Sequence, residues 1–186
     1  MNTVERKEEA QEAFAVWITG LPASGKSTLA AALKAQLAAR GVAVAVLESD
    51  VLRRIFTVHP RYDEAERDVF YRQVAYVGEL LVEHGVPVIF DATANRRLYR
   101  DRARHEIPRF LEVYVDSPLA TCMARDPKGI YRQALGEVSA HVPGLQSTYE
   151  PPQTPEVIIR GDQESPEAAA QRVVSKLIEK GYVLSK

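Results

Sequence analysis

The sequence has little cysteine and no long apolar run, and both features limit where the protein works. Its one cysteine, Cys122, cannot form an internal disulfide and is expected to pack in the core, which fits a reducing compartment. No segment approaches the roughly 18–20 apolar residues that a helix needs to cross a bilayer. The first residues, MNTVERKEEAQEAF, are charged and have no apolar signal-peptide core. We therefore expect a soluble, cytoplasmic protein without a membrane partner.

The chain also lacks an excess of charge of either sign. It has 24 Lys and Arg against 25 Asp and Glu, for a net charge of −1, which argues against nucleic acid as a partner. A cluster of arginines on one predicted helix is the exception: Arg96, Arg97, Arg100, Arg102 and Arg104. Asp101 and Glu106 interleave with them, so we interpret the cluster as ion pairs on a helix surface. The four histidines are scattered, and a protein-held zinc site is not expected.

Short apolar segments alternate with helical patterns along the chain. The segments cover 15–19, 42–48, 86–91, 109–116 and 156–160. This alternation predicts an α/β fold, a three-layer sandwich in which helices cover both faces of a five-stranded parallel sheet. We expect one domain over 14–186, preceded by a charged N-terminal arm over 1–13. The stretch 126–155 is rich in Gly and Pro with little periodicity, and we expect a mobile lid over about 125–147.

The strongest motif follows the first apolar segment and precedes a helical pattern. It reads Gly20-Leu21-Pro22-Ala23-Ser24-Gly25-Lys26-Ser27-Thr28, a full G-x-x-x-x-G-K-[ST] sequence. Phosphate oxygens need several N–H donors converging on one point, and the glycines permit the tight backbone that this requires. Lys26 is expected to reach the β- and γ-phosphates, and Ser27 to bind Mg²⁺. We therefore expect a P-loop NTPase whose residues 20–28 bind ATP.

Missing motifs narrow the class of P-loop protein. A GTPase switch should carry N-K-x-D, which is absent, and D-x-x-G, where this chain has Asp91-Ala92-Thr93-Ala94. The chain is also too short for the additional domains of most motor ATPases. A small kinase that moves the γ-phosphate of ATP to a hydroxyl remains. A non-catalytic nucleotide-binding switch is the weaker alternative.

Two carboxylates follow predicted strands and should meet the P-loop at one edge of the sheet. Asp50 is a candidate to orient the acceptor hydroxyl, accept its proton, or hold magnesium through water; alternatively it only caps a helix. Arg53, nearly one helical turn later, is a candidate ligand of an acceptor phosphate. Asp91 is a candidate for the magnesium shell, and its alternative role is hydrogen bonding in a turn.

The second half of the chain carries a more specific pattern. Arg125-Asp126-Pro127-Lys128-Gly129-Ile130-Tyr131 is followed by Gly136-Glu137-Val138, Gly144-Leu145 and Tyr149-Glu150-Pro151-Pro152. Over roughly residues 15–160 the chain resembles the adenylyl-sulfate (APS) kinase family. The resemblance implies that ATP phosphorylates the 3′-hydroxyl of adenylyl sulfate, which yields 3′-phosphoadenylyl sulfate in sulfate assimilation. It also implies a homodimer.

The resemblance implies roles for single residues as well. On the ATP side, Arg125 and Lys128 would lie on the lid near the phosphates, where Arg125 would stabilise charge developing during transfer. On the acceptor side, Asp50 and Arg53 match the family's D-G-D-x-x-R. The remaining acceptor candidates are Tyr62 as a ring stacked on adenine, Arg67 as a nucleotide-binding arginine, and His141 as a flat group in place of the phenylalanine of N-F-T-G, or merely solvated.

Departures from the family pattern fall mainly in the acceptor region. Glu48-Ser49-Asp50 stands for D-G-D, Phe70 for an asparagine, and Ala94-Asn95-Arg96-Arg97 for S-P-[FY]-R. The stretch 88–95 also resembles small P-loop kinases that act on other hydroxyls, including polynucleotide ends. A related kinase with a nucleotide, nucleoside, sugar or polynucleotide-end acceptor therefore stays open as the alternative.

Overall fold

The computed structural model describes residues 12–57, 59–136 and 141–185. The charged arm predicted over 1–13 lies outside these ranges except for its last two residues. Of these, Glu12 accepts a hydrogen bond from Arg109 at 3.1 Å, and Ala13 is buried. None of the helices within the described ranges is long and apolar enough to cross a membrane.

Five parallel strands form one sheet, and each lies within an apolar segment that the sequence indicates, apart from one added residue at Gly20. The strands are β1 (Ala15–Gly20), β2 (Ala45–Glu48), β3 (Val88–Asp91), β4 (Phe110–Asp116) and β5 (Val157–Arg160). Their order is β2-β3-β1-β4-β5, so the strand that leads into the P-loop is the central one. The predicted parallel sheet is confirmed.

Seven helices connect and cover these strands in the described part of the chain. They are α1 (Lys26–Ala38), α2 (Ser49–Phe56), α3 (Glu64–Glu83), α4 (Arg97–Glu106), α5 (Leu119–Arg125), α6 (Ile130–Gly136) and α7 (Pro166–Glu179). The sequence did not indicate α6, which lies where we expected irregular chain. A helix of two turns has little intrinsic stability. Its buried residues Tyr131 and Ala134 indicate that packing on the rest of the molecule stabilises it.

The sheet has a separate hydrophobic core on each face. Val16 and Ile18 of β1 pack into the core that contains α1 and α7. Ala15 and Trp17 point the other way and pack into the core that contains α3 and α4. Period-two alternation along a strand buried on both sides produces this arrangement. The predicted three-layer sandwich is therefore confirmed.

The register of the strands sets the position of the site. Asp91 of β3 is level with Ile18 of β1 and with Glu48 of β2. Because the three strands are parallel, their carboxyl ends lie at one edge of the sheet. The P-loop after β1, Asp50 after β2 and Asp91 in β3 therefore come together there.

Close packing between α3 and β3 gives a test of the fold. A Cβ added to Gly78 would lie 2.0 Å from Cζ of Phe90, and that ring is buried and stacked on Trp17 with centroids 4.5 Å apart. We expect Gly78→Ala to lower the free energy of unfolding by about 1–3 kcal/mol, as overpacked cores do. Urea denaturation would measure this. In Gly136→Ala the added Cβ meets no atom within 4 Å, so an equal loss in that control would contradict the explanation.

Candidate active site

The main cavity, of about 530 Å³, lies at the carboxyl edge of the sheet. The P-loop from Pro22 to Thr28 forms its floor. Four other candidates from the sequence also line it, namely Asp50, Asp91, Arg125 and Lys128. Gly20 and Leu21, the first two residues of the motif, lie outside the lining.

The backbone of the P-loop explains its glycines. Gly20 has φ +152°, and a Cβ there would lie 2.6 Å from the carbonyl oxygen of Val115 on β4. Gly25 has φ +109° immediately before α1, a conformation that side chains disfavour. The first helical bond runs from the N–H of Leu29 to the carbonyl of Gly25. The N–H groups before Leu29 lie at the start of the helix and have no helical hydrogen-bond acceptor, so they are suited to bind an anion.

Lys26 lies at the bottom of this cavity and is only 8% exposed. Its ammonium donates to the carbonyl oxygen of Leu21 at 2.8 Å. Burial lowers the pKa of Lys26, and attraction to the carboxylates of Asp91 and Asp50 partly offsets that effect. The cation is thus held in a low-dielectric position between the P-loop and two acidic groups.

The two carboxylates have different surroundings. Asp91 is 6% exposed, and no ion pair or hydrogen bond to its carboxylate occurs in the described ranges. Asp50 lies in the first turn of α2 and is largely exposed. The N-cap position belongs to Glu48, so the alternative that Asp50 caps this helix is wrong.

The oxygen donors in the cavity suit a magnesium ion that shares substrate phosphates. Ser27, Asp50 and Asp91 supply a hydroxyl and two carboxylates, the donor types that Mg²⁺ prefers. Among the described residues, no group of three or more His, Cys, Asp or Glu could hold a metal by itself. Mg²⁺ usually keeps waters and substrate phosphates in its shell, and a few protein oxygens suffice to hold it.

Two cations at the start of the predicted lid cover the cavity. The ammonium of Lys128 donates to the carboxylate of Asp50, and this hydrogen bond raises the pKa of Lys128. Arg125, at the end of α5, donates to the carbonyl oxygen of Gly161 at 2.9 Å. The lid segment therefore spans the cavity from α2, which follows β2, to the turn that follows β5.

Further contacts hold the same segment on the P-loop. The hydroxyl of Tyr131 in α6 donates to the carbonyl oxygen of Pro22 at 3.0 Å. A Cβ added to Gly144 would lie 2.6 Å from Cδ2 of Leu21. Leu21 therefore packs against the lid, although its side chain does not line the cavity.

A second cavity, of about 290 Å³, contains three of the predicted acceptor residues: Tyr62, Arg67 and His141. Arg67 donates to the carbonyl oxygens of Tyr62 at 2.8 Å and His141 at 2.5 Å. Burial lowers the pKa of Arg67, yet a guanidinium stays protonated at neutral pH. Tyr62 is 44% exposed, so its ring is accessible to a ligand. The contact between His141 and Arg67 uses the backbone carbonyl of His141 and does not involve its imidazole ring.

Arg53, also predicted to bind the acceptor, lines neither cavity. Its guanidinium lies between the rings of Phe70 and Tyr62, at 3.8 and 5.0 Å from their centroids. Nη1 of Arg53 also pairs with Glu66 at 2.6 Å, and Arg53 is 7% exposed. Its charge is therefore compensated within the protein. The ring of Phe70, at the position of the family's asparagine, supports this arginine.

Sequence reasoning missed the polar residues between β3 and α4 and those in 147–150, which we call the base of the lid. Asn95, Ser147 and Thr148 line the second cavity. The amide of Asn95 accepts from Nη1 of Arg67 at 3.2 Å and donates to the carbonyl oxygen of Thr148 at 3.0 Å. The sequence signal that could have indicated Asn95 was its position, as a polar residue shortly after the buried strand β3.

Three arginines of α4 are ion-paired, but their partners lie on other elements and not at Asp101 or Glu106, as interpreted from the sequence. Arg102 pairs with Asp68 at the surface. Arg100 differs from the expectation because it is buried, where it pairs with Glu112 of β4 at 2.6 Å. Arg104 pairs with both Glu112 and Glu156. Most arginines of this cluster are therefore already paired with carboxylates of the protein.

Comparison with known proteins identifies the family. The sequence profile described as adenylylsulphate kinase matches residues 12–160. An adenylyl-sulfate kinase of Microcystis aeruginosa is 40% identical over 174 residues, which cover 93% of this chain and 96% of that protein.

Solved structures agree with the sequence comparison. The APS kinase CysC of Mycobacterium tuberculosis, in complex with AMPPNP and APS, superposes with a TM-score of 0.83 at 32% identity, covering 89% of this chain and 98% of that one. A hexameric APS kinase from Thiobacillus denitrificans has a TM-score of 0.68 at 26% identity, covering 95% of this chain and 31% of that one. The profile match spans most of the described fold, with both the P-loop and the second cavity inside it, and this chain belongs to the adenylylsulphate kinase family.

Proposed function

We propose that this chain transfers the γ-phosphate of ATP to the 3′-hydroxyl of adenylyl sulfate, giving 3′-phosphoadenylyl sulfate and ADP. The observation that carries the proposal is that one short loop lines both cavities. Asp91 and Thr93 line the P-loop cavity, and Asn95 lines the cavity that contains Arg67. A phosphoryl donor and an acceptor bound in these cavities would be neighbours across that loop, as in-line transfer requires.

ATP would bind over the P-loop. Residues 22–28 would surround its phosphates, while Gly20 and Leu21 would shape the loop and support the lid. Lys26 would neutralise the β- and γ-phosphates. Arg125 and Lys128, which line the same cavity, would add positive charge as the phosphoryl group leaves.

Asp50 would orient the acceptor hydroxyl and receive its proton. It lines the ATP cavity on α2 and is free of any capping role. Its contact with Lys128 would loosen when the phosphates attract that ammonium. A carboxylate aligned with the hydroxyl is the usual contribution of a protein to phosphoryl transfer.

Ser27 and Asp91, with Asp50 through water, would hold magnesium beside the phosphates. When bound, this ion would neutralise charge on the β- and γ-phosphates. The buried carboxylate of Asp91 and the hydroxyl of Ser27 line one cavity, which supports the assignment.

The acceptor would bind in the second cavity. Arg67 would bind its anionic group, and the accessible ring of Tyr62 would stack on its base. His141 lies at the same cavity and stays a candidate for a second stacking group. We assign Arg53 an indirect role, because Glu66 already compensates its charge and the rings of Phe70 and Tyr62 enclose it.

Three broader expectations belong to the same proposal. The segment 125–147 would act as a lid that excludes water during transfer, which its contacts with Pro22 and Leu21 support. A cytoplasmic location fits the use of ATP. Assembly as a homodimer stays a prediction from the family resemblance.

The changed residues beside Arg53 and Arg67 favour one alternative. Phe70 supports Arg53, and Asn95 contacts Arg67, so both departures from the family pattern touch a predicted acceptor residue. A related kinase with the same ATP site and a different hydroxyl acceptor would show such changes. The two functions differ in their acceptor alone.

An ADP-release assay with MgATP and a panel of acceptors tests the function. The panel contains adenylyl sulfate, AMP, nucleosides, small sugars and 5′-hydroxyl oligonucleotides. We expect rapid turnover with adenylyl sulfate only, and loss of it in Lys26→Ala by at least about 100-fold because the phosphate charge is no longer neutralised. Lys34→Ala, on the exposed face of α1, is the control and should retain activity. Turnover with another acceptor and none with adenylyl sulfate would establish the alternative.

Asp50→Asn tests the proposed base. The substitution keeps the size of an exposed side chain, so we expect unchanged thermal stability. kcat should fall by about 10²–10⁴-fold, the usual contribution of general acid–base catalysis, with little change in either KM. Asp101→Asn, on the exposed face of α4, is the matched control. If kcat of Asp50→Asn stayed within threefold of the parent, Asp50 would have no role in proton transfer.

The two arginines near the acceptor cavity should differ in effect. Arg67→Gln removes a cation that lines the cavity, so the KM for adenylyl sulfate should rise by about 30-fold, as expected for a lost charge-assisted contact. Arg53→Gln removes a cation already paired with Glu66, so that KM should rise by less than about fivefold while thermal stability falls. Initial-rate kinetics measure both, with the KM for ATP as an internal control. Equal effects on the acceptor KM would show that Arg53 binds the acceptor directly.

A further inference from the structure

The loop between β3 and α4 is held at every carbonyl from residue 92 to residue 95. The donors to these successive carbonyl oxygens are Trp17 Nε1 at 3.1 Å, Thr19 Oγ1 at 2.6 Å, Arg100 Nη1, and the backbone N–H of Glu150 at 2.7 Å. Three are side chains from β1 and α4, and the fourth is the base of the lid. A loop with its carbonyls fixed from three directions has little freedom to move.

The same loop contains a strained residue. Ala94 has φ +40°, in the left-handed region that a residue with a Cβ disfavours. Its side chain is fully buried, and its N–H donates to the hydroxyl of Tyr71 at 3.0 Å. Strain of this kind persists only where the surroundings over-determine the conformation. This backbone conformation turns the next residue, Asn95, toward the acceptor cavity, which Asn95 lines.

The amide of Asn95 is buried, and both its ends are occupied. Its Oδ1 accepts from Nη1 of Arg67 at 3.2 Å, and its Nδ2 donates to the carbonyl oxygen of Thr148 at 3.0 Å. A guanidinium only donates and a carbonyl only accepts, so these neighbours fix which way the amide faces. Asn95 therefore joins Arg67 to the base of the lid.

Counting the donors of Arg67 shows what remains for a ligand. A guanidinium has five N–H groups. Three of them go to the carbonyl oxygens of Tyr62 and His141 and to Oδ1 of Asn95. Among the described residues, one N–H on each terminal nitrogen has no acceptor, and a guanidinium can give two such N–H groups to the oxygens of one anion. No carboxylate lies within 4.0 Å of Arg67 among the described residues, and Glu66 attracts it only from a longer distance.

We propose that Asn95 is a positioning residue, which sets the guanidinium of Arg67 so that these two N–H groups face the acceptor anion. The inference rests on the proposed function, because it names what prepares the acceptor cavity. A neutral amide is required at this position. A carboxylate would compensate the charge of Arg67, and an apolar side chain would remove one of the three hydrogen bonds that orient its guanidinium. The family pattern has proline here, and proline has no side-chain amide with which to make this contact.

Steady-state kinetics of two variants test the proposal. Asn95→Ala removes the acceptor of the Arg67 hydrogen bond. The KM for adenylyl sulfate should rise by about 10-fold, with kcat within threefold and the KM for ATP unchanged. Asn95→Asp keeps the side-chain size but pairs Arg67 with a carboxylate, so the same KM should rise by at least as much. Gln171→Ala is the control, since it removes an exposed side-chain amide on α7 that lines neither cavity, and both KM values should stay unchanged.

A double-mutant cycle separates positioning from support of the fold. In the Arg67→Gln background, Asn95→Ala should change the KM for adenylyl sulfate by less than twofold, because its effect passes through Arg67. A further tenfold rise in that background, or an unchanged KM in Asn95→Asp, would overturn the proposal. If the parent enzyme turns over a different acceptor, the proposed function fails while Asn95 remains testable. The same cycle on the KM for that acceptor then decides its role.

Discussion

One buried hydroxyl joins the three segments on which both cavities depend. Thr19, the residue before the P-loop, contacts the carbonyl oxygen of Thr93 at 2.6 Å and the hydroxyl of Tyr149 at 3.1 Å. Burial raises the pKa of Tyr149, so its hydroxyl stays protonated at neutral pH. The end of β1, the β3–α4 loop and the base of the lid are therefore held at fixed distances. A displacement of any one of them would move phosphate donors relative to the acceptor cavity, and small displacements are costly in group transfer.

The cations of the site are distinguished by their partners. Arg53 and Arg67 are both buried beside Tyr62, yet Glu66 compensates the charge of Arg53 and no described carboxylate pairs with Arg67. Lys26 lies deep under the P-loop with two carboxylates within electrostatic range. Lys128 reaches Asp50 from an exposed position on the lid. Neither Arg67 nor Lys26 has a carboxylate within 4.0 Å among the described residues, so these two buried cations are the most suited to bind substrate oxygens.

Divergence from the family pattern is concentrated beside these cations. Phe70 provides a ring under Arg53, and Asn95 provides an amide to Arg67, although the family pattern has an asparagine at the first position and a proline at the second. The P-loop, by contrast, keeps every motif residue and its left-handed glycines. The nucleotide cradle is built from backbone N–H groups. Their directions depend on the backbone conformation, so the residues that permit this conformation are retained. An acceptor pocket built from side chains can reach a similar arrangement with different residues.

The amino-acid sequence alone determined the parallel sheet, the P-loop and the family, because these follow from short-range patterns. Period-two and helical periodicities report burial directly, and G-x-x-x-x-G-K-[ST] contains its own geometry. Helix α6 was not predictable, since Tyr131 stabilises it through contact with Pro22, 109 residues away. The partners of Arg53 and Arg67, and the role of Asn95, were decided only by the tertiary structure. Arg53 meets Glu66 13 residues away, and Arg67 meets Asn95 and His141 28 and 74 residues away. Periodicity within one segment carries no record of such contacts.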